Sequence, residues 1–124
     1  MMSSIPNIEH LREVARDSAV AGVPFVKQCQ DMWKLHKFCK NMLEEEDPEK
    51  RKLVIQRVSF YMHELEELTE NLNEKWGADR VRFSEGVFAF EFTDKDLSID
   101  CFHPNISGQQ AISDIIWKDT WWAQ

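Results

Sequence analysis

Apolar residues recur at helical spacing near the start of the chain. Ile8, Leu11, Val14 and Ala15 follow Asn7, which suits an N-cap directly after Pro6. The pattern predicts a first helix that ends in the stretch AGVP (21–24). Gly22 can turn left-handed there, and Pro24 blocks continuation. A second helix is predicted over about 25–46, carrying Val26, Cys29, Met32, Trp33, Leu35, Phe38, Cys39, Met42 and Leu43, with gaps in its first turns. The run EEEDPEKRK (44–52) reads as a solvated turn. Asp47 can cap the next helix and Pro48 fits its first position. That helix is predicted to run to Trp76 and stop at Gly77. Its stripe of Leu53, Val58, Tyr61, Leu65, Leu68, Leu72 and Trp76 suits packing on a core; a coiled-coil seam needs longer heptad repetition.

The texture then changes. Val81 and Phe83 alternate with charged residues, and Val87, Phe88, Ala89, Phe90 and Phe92 read as a strand or an extended segment near a core. A polar loop follows. The last helix is predicted to open at Ser107, with Ser107 and Gln110 as a capping box and Ile112, Ile115 and Ile116 facing inward. Trp33, Trp76 and Trp117 are expected in the core. Trp121 and Trp122 are either packed back or exposed, and exposure points to a partner surface.

Composition narrows the class. A chain of 124 residues is one domain, 1–124, and 43% hydrophobic with 30% charged residues is neither a disordered nor a membrane composition. The net charge of −7 repels phosphate backbones, so no nucleic-acid partner is expected. No apolar run is long enough for a transmembrane segment, and MMSSIPNIEH lacks the basic and apolar regions of a signal peptide. Three cysteines do not make a complete disulfide framework. Cys29 and Cys39 could pair in an oxidising compartment and leave Cys101 free; in a reducing one all three serve as small hydrophobes. His36 and Cys39 are too few ligands to imply a metal, and no cofactor is implied. His10, His36 and His63 lie on predicted helices and read as ordinary helix residues.

The candidate chemistry lies in SIDCFHPNISGQQAISDIIW (98–117). A turn can return Asp100 to His103 across two residues, and Pro104 stiffens the histidine before it. The series Asp100-Cys101-Phe102-His103-Pro104, then Gly108, then an apolar helix reaching Trp117, resembles the last block of the SGNH (GDSL-type) ester hydrolases. SSIPNIEHL (3–11) resembles the segment after that family's fourth strand. Cys29, Cys39, the 48–76 helix and VFAFEF follow in the order found in its secreted lipase and phospholipase-B-like members. The resemblance covers essentially the whole chain.

It implies that Asp100 orients His103 and that His103 is the general base of a Ser-His-Asp triad acting on carboxylic esters, often of lipids, without a metal. It also implies the helix-rich C-terminal portion of a three-layer α/β/α (flavodoxin-like) fold, with only one or two short strands. The departures are equally plain. The chain contains no Gly-Asp-Ser and no Gly-x-Asn-Asp, so the nucleophile and oxyanion donors of that family are missing, and Gln109 stands where many members have histidine. The expectation is a fragment or truncated homologue, inactive alone, whose substrate would be an ester or lipid once the N-terminal half completes it. Full-length relatives are often secreted. A chain lacking that half leaves several hundred Å² of apolar surface uncovered, worth many kcal/mol at about 25 cal/mol per Å², and self-association through exposed apolar faces is expected. The alternative is a non-catalytic helical binding or assembly module, with the 48–76 stripe and the Trp121–Trp122 tail as contact surfaces.

Overall fold

Asn7 does cap the first helix. In the computed structural model, which describes residues 1–77 and 79–123, its side chain accepts hydrogen bonds from the N–H groups of Glu9 and His10, two donors that a helix start leaves open. Helix α1 spans Ile8–Ala15 and ends well before Gly22. The Ser18 N–H turns back to the Ala15 carbonyl, and the chain then pairs with residues beyond the loop: Val20 N–H donates to Lys27 O, and Cys29 N–H to Ser18 O. Gly22 (φ 80°) and Phe25 (φ 64°) turn left-handed inside that loop.

Helix α2 is Cys29–His36, far shorter than the apolar spacing over 25–46 predicted. Asp31 fixes its start by accepting from the N–H groups of Lys27 and Gln28, each at 3.0 Å. Its end is set by Lys37, which is left-handed (φ 58°). The N–H groups of Lys37 and Phe38 both turn back to the Trp33 carbonyl, a Schellman-type end. Met42 and Leu43 are still buried, but by a separate turn whose N–H groups close on the Cys39 carbonyl. The apolar period persisted where helical geometry did not.

Helix α3 spans Pro48–Trp76, with Asp47 accepting from the Glu49 N–H and with left-handed Gly77 (φ 67°) at its end, both as expected. Its cover is thin. Leu53, Phe60, Tyr61, Leu68 and Trp76 are exposed, and Val58, Leu65 and Leu72 are only half-buried. Two buried arginines hold the helix start to α1. Arg51 Nε lies 3.0 Å from both carboxylate oxygens of Glu9, and its Nη1 donates to Glu45 O at 2.9 Å. Arg12 donates to Leu43 O and to Glu46. Charges this buried are tolerable because each is paired.

Strands β1 (Met2–Ser3) and β2 (Phe83–Ser84) form a parallel pair, in register Met2 with Phe83 and Ser3 with Ser84. Met2 N–H donates to Arg82 O and Ser4 N–H to Ser84 O, both at 2.8 Å. In such a ladder alternate residues face opposite sides, so Ser3 and Phe83 direct their backbone groups away from the pair. The three helices between the strands form the crossover. The chain is helix-rich α/β: 53% helical, with these two short parallel strands.

The segment expected as a strand or an extended run near a core, GVFAFEF, begins instead with a one-turn helix, α4 (Gly86–Ala89), turns extended at Phe90, and places Phe92 in the core. The N–H groups of Phe88 and Ala89 close on Glu85 O, and Phe88 N–H also reaches Ser4 Oγ at 3.0 Å. Helix α5 spans Ile106–Lys118, and its cap is Asn105 rather than Ser107. Asn105 Oδ1 accepts from the Gly108 N–H, while its amide donates to the carbonyls of Lys95 and Leu97. Ser107 Oγ turns sideways to Asp96 and Asn105.

The core gathers Leu11, Ala15, Cys29, Trp33, Leu43, Phe92, Leu97 and Cys101. It lies under α1, α2 and the 92–101 segment, away from most of α3. Trp33 is fully buried, whereas Trp76 and Trp117 are exposed, against expectation, because α3 and α5 end beyond this core. Trp117 stacks on the exposed Trp122, with ring centroids 6.2 Å apart. The disulfide also differs from the sequence-based alternatives: Cys29 bonds to Cys101, and Cys39 is free and exposed. Cys29 and Cys39 sit on opposite ends of the α2 segment, whereas Cys29 and Cys101 meet in the core. Among the described residues, no helix is long and apolar enough to cross a membrane.

Candidate active site

The loop from Ser98 to His103 is closed at its base by the Ser98 N–H donating to the His103 carbonyl at 2.8 Å. Below it, Leu97 bridges Pro104 in antiparallel fashion, and Asn105 N–H donates to Asp96 O. Inside the loop, Cys101 N–H turns back to Ser98 O. Cys101 itself is left-handed (φ 59°), a costly conformation for a side-chain-bearing residue. Its disulfide to Cys29 pins this point of the loop to the first residue of α2.

That fold of the backbone aims Asp100 at His103. One oxygen, Oδ1, accepts from the N–H groups of Phe102 (3.1 Å) and His103 (3.0 Å). This is the local side-chain-to-backbone turn that short acids make readily. The other, Oδ2, lies 2.6 Å from His103 Nδ1. The acid is half-buried and the imidazole side chain is 64% exposed. Burial pushes the Asp100 carboxyl upward, but the hydrogen bonds from the His103 ring and from the His103 and Phe102 amides outweigh it and hold it below the usual carboxylate range. An ionised carboxylate only accepts, so Nδ1 carries a proton, and in the neutral imidazole Nε2 is then the nitrogen with the lone pair. Among the described residues Nε2 has no hydrogen-bond partner. The pair therefore presents a largely exposed imidazole that is tethered through Nδ1.

No serine hydroxyl among the described residues hydrogen-bonds Nε2, and several serines have other roles. Ser4 Oγ accepts from Phe88 N–H, Ser18 Oγ donates to Val14 O, and Ser107 Oγ donates to Asp96 and Asn105. Ser84 is buried beside β1. Water could be activated in place of a hydroxyl, but an acyl-transfer site also needs aligned donors for the developing oxyanion.

Three residues support the pair; Asp96 and Phe38 were not singled out from the sequence for this role, and Gly108 entered it only as part of the Asp100–Trp117 series. Asp96 takes the N–H and hydroxyl of Thr93 and the hydroxyl of Ser107, which holds its carboxyl below the usual range and anchors the loop base. Gly108 lies flat on this base: a Cβ there would run into the Asp96 carbonyl oxygen and sit 3.1 Å from Pro104 Cβ. Phe38 reaches the loop from just past the end of α2, its ring centroid 6.1 Å from that of Phe102 and 6.4 Å from that of His103. The Thr93-x-x-Asp96 spacing was the readable signal for the first; for Phe38 the sequence held none. His36 stacks on Phe38 at 5.5 Å, His63 pairs with Glu67 on α3, and His10 is half-buried on α1.

Comparison of the chain with protein-family models, with curated proteins and with solved structures finds no match.

Proposed function

We propose that this chain is the acid–base part of an SGNH-type ester hydrolase, a fragment or truncated homologue in which His103 is the general base and Asp100 its orienting acid. The reading rests on one observation: a 2.6 Å Asp100–His103 bond from Nδ1, with Nε2 left open to solvent. In that role Nε2 takes a proton from a serine hydroxyl as it attacks an ester carbonyl and returns it to the leaving alcohol. The crossover through three helices between β1 and β2 supports the α/β/α layering that such a domain requires. The nucleophile must come from outside residues 1–124, since no Gly-Asp-Ser occurs within them.

The test uses the longest natural polypeptide that contains this sequence, a fluorophosphonate serine probe and a short-chain aryl ester. The labelled serine is expected outside residues 1–124. His103→Gln and Asp100→Asn are expected to lower turnover by about 10³-fold or more. No labelling, or labelling and turnover indifferent to His103, removes the proposal.

A second reading is favoured by the open face of α3. A non-catalytic assembly module needs an exposed apolar contact surface, and Tyr61, Leu68 and Trp76 provide one. Sedimentation of the chain, with Leu68→Glu as the disrupted form, tests it. A monomer at all accessible concentrations, unchanged by the substitution, removes self-assembly.

A further inference from the structure

We propose that Phe38 is a positioning residue for His103, fixing the plane of the imidazole from a separate element of the fold. The inference rests on the acid–base reading of the Asp100–His103 pair but concerns geometry that exists whether or not the chain hydrolyses an ester.

Asp100 alone does not determine the imidazole's orientation. One hydrogen bond to Nδ1 leaves the ring free to pivot about that bond, and the side chain stands largely in solvent. The loop that carries both residues is local, closed by Ser98 and His103. A contact from outside the loop is what would limit the remaining rotation. Two rings touch the imidazole. Phe102 lies 4.9 Å away at 70°, but it belongs to the same loop and moves with it. Phe38 lies 6.4 Å away at 80°, an edge-to-face arrangement, and also stacks on Phe102 at 26° and 6.1 Å. It therefore abuts both members of the His103–Phe102 pair.

Phe38 is itself held from three sides. The left-handed Lys37 turns the chain so that Phe38 N–H meets Trp33 O at 3.2 Å. Its ring packs against the buried core that contains Trp33 and Cys101. His36 stacks on its remaining side, 5.5 Å away at 21°. Helix α2 thus engages the loop at both ends, through the Cys29–Cys101 bond at its start and through Phe38 after its end. The covalent end fixes where the loop is; the aromatic end fixes how the imidazole lies.

The experiment is NMR of the full chain, with imidazole ¹⁵N labelling. The wild type should show ring-to-ring NOEs between Phe38 and His103 and a slowly exchanging, downfield Nδ1 proton. Phe38→Leu keeps apolar volume but no ring, and should speed exchange of that proton by about 2- to 10-fold, the range expected for one aromatic pair. Phe38→Tyr keeps the ring and should restore the wild-type rate. An unchanged rate in a folded Phe38→Leu chain overturns the proposal. If that variant does not fold, the wild-type NOEs and the Phe38→Tyr rate decide: absent NOEs, or a fast rate with tyrosine, overturn it. Loss of the hydrolase reading would appear in the ester assay and leave these signals in place, so the two failures are separable.

Discussion

Cys101 is covalently joined to Cys29, 72 residues away in sequence, and sits between Asp100 and His103 in the chain. The bond therefore restrains both the core and the candidate site. By the chain-entropy relation, closing a loop of this length stabilises the fold by roughly 4 kcal/mol. Reduction, or the Cys29→Ser/Cys101→Ser pair, should lower the denaturation midpoint accordingly, with urea titration monitored by tryptophan fluorescence as the readout. Equal midpoints with and without reductant would show that the two sulfurs are not bonded in solution.

Asp100 should make stability depend on acid pH. Its carboxyl is held below its ordinary value of 3.8, burial opposing and the His103 and Phe102 hydrogen bonds prevailing. A group lowered on folding contributes fully above its unfolded value and loses that contribution as pH falls through the folded one. The stability gap between the wild type and Asp100→Asn should thus shrink as the pH falls below 3.8. Thermal melts across pH 2–7 measure it. A gap that widens as the pH falls below 3.8 reverses the sign and contradicts the geometry.

Gly108→Ala should cost about 1–3 kcal/mol, because a methyl group has no room against the Asp96 carbonyl and the base of the loop must give. Asn105→Ala, which removes the α5 cap, should cost about 1–2 kcal/mol, and Ser107→Ala much less. If Ser107→Ala proves the more damaging of the two, the cap has been assigned to the wrong residue.

Lys37→Gly should stabilise the chain by about 1 kcal/mol, since glycine enters the left-handed region without the penalty lysine bears. Lys37 also pairs with the largely buried Glu44 carboxylate at 3.7 Å, so the comparison is made in a Glu44→Gln background, where that pairing is absent from both chains. A fall in melting temperature would mean that the end of α2 is built differently.

Local chemistry was the legible part of this chain. Asn7, Asp47, Pro48 and Gly77 mark their helix ends because a cap or a left-handed stop is decided by neighbours a few residues away. The Asp100–His103 juxtaposition was readable for the same reason: a turn brings residues three apart together. Long-range decisions were not readable. The length of α2 depends on a left-handed lysine, which nothing in the apolar spacing announces. The partner of Cys29 depends on where residue 101 lands after a long crossover. Trp76 and Trp117 looked like core residues by type, yet their burial is set by where the core stops, which no local pattern reports. GVFAFEF carries strand-forming residues, but the Glu85 carbonyl takes the N–H groups of Phe88 and Ala89, and Ser4 Oγ that of Phe88, which curls its start into a turn of helix.

Helix α3 has a further consequence for motion in solution. Its 29 residues extend about 43 Å at 1.5 Å each. A sphere with the radius of gyration usual for this chain length is only about 35 Å across. The helix is thus longer than the body it lies on, and the molecule must tumble faster about the helix axis than end over end.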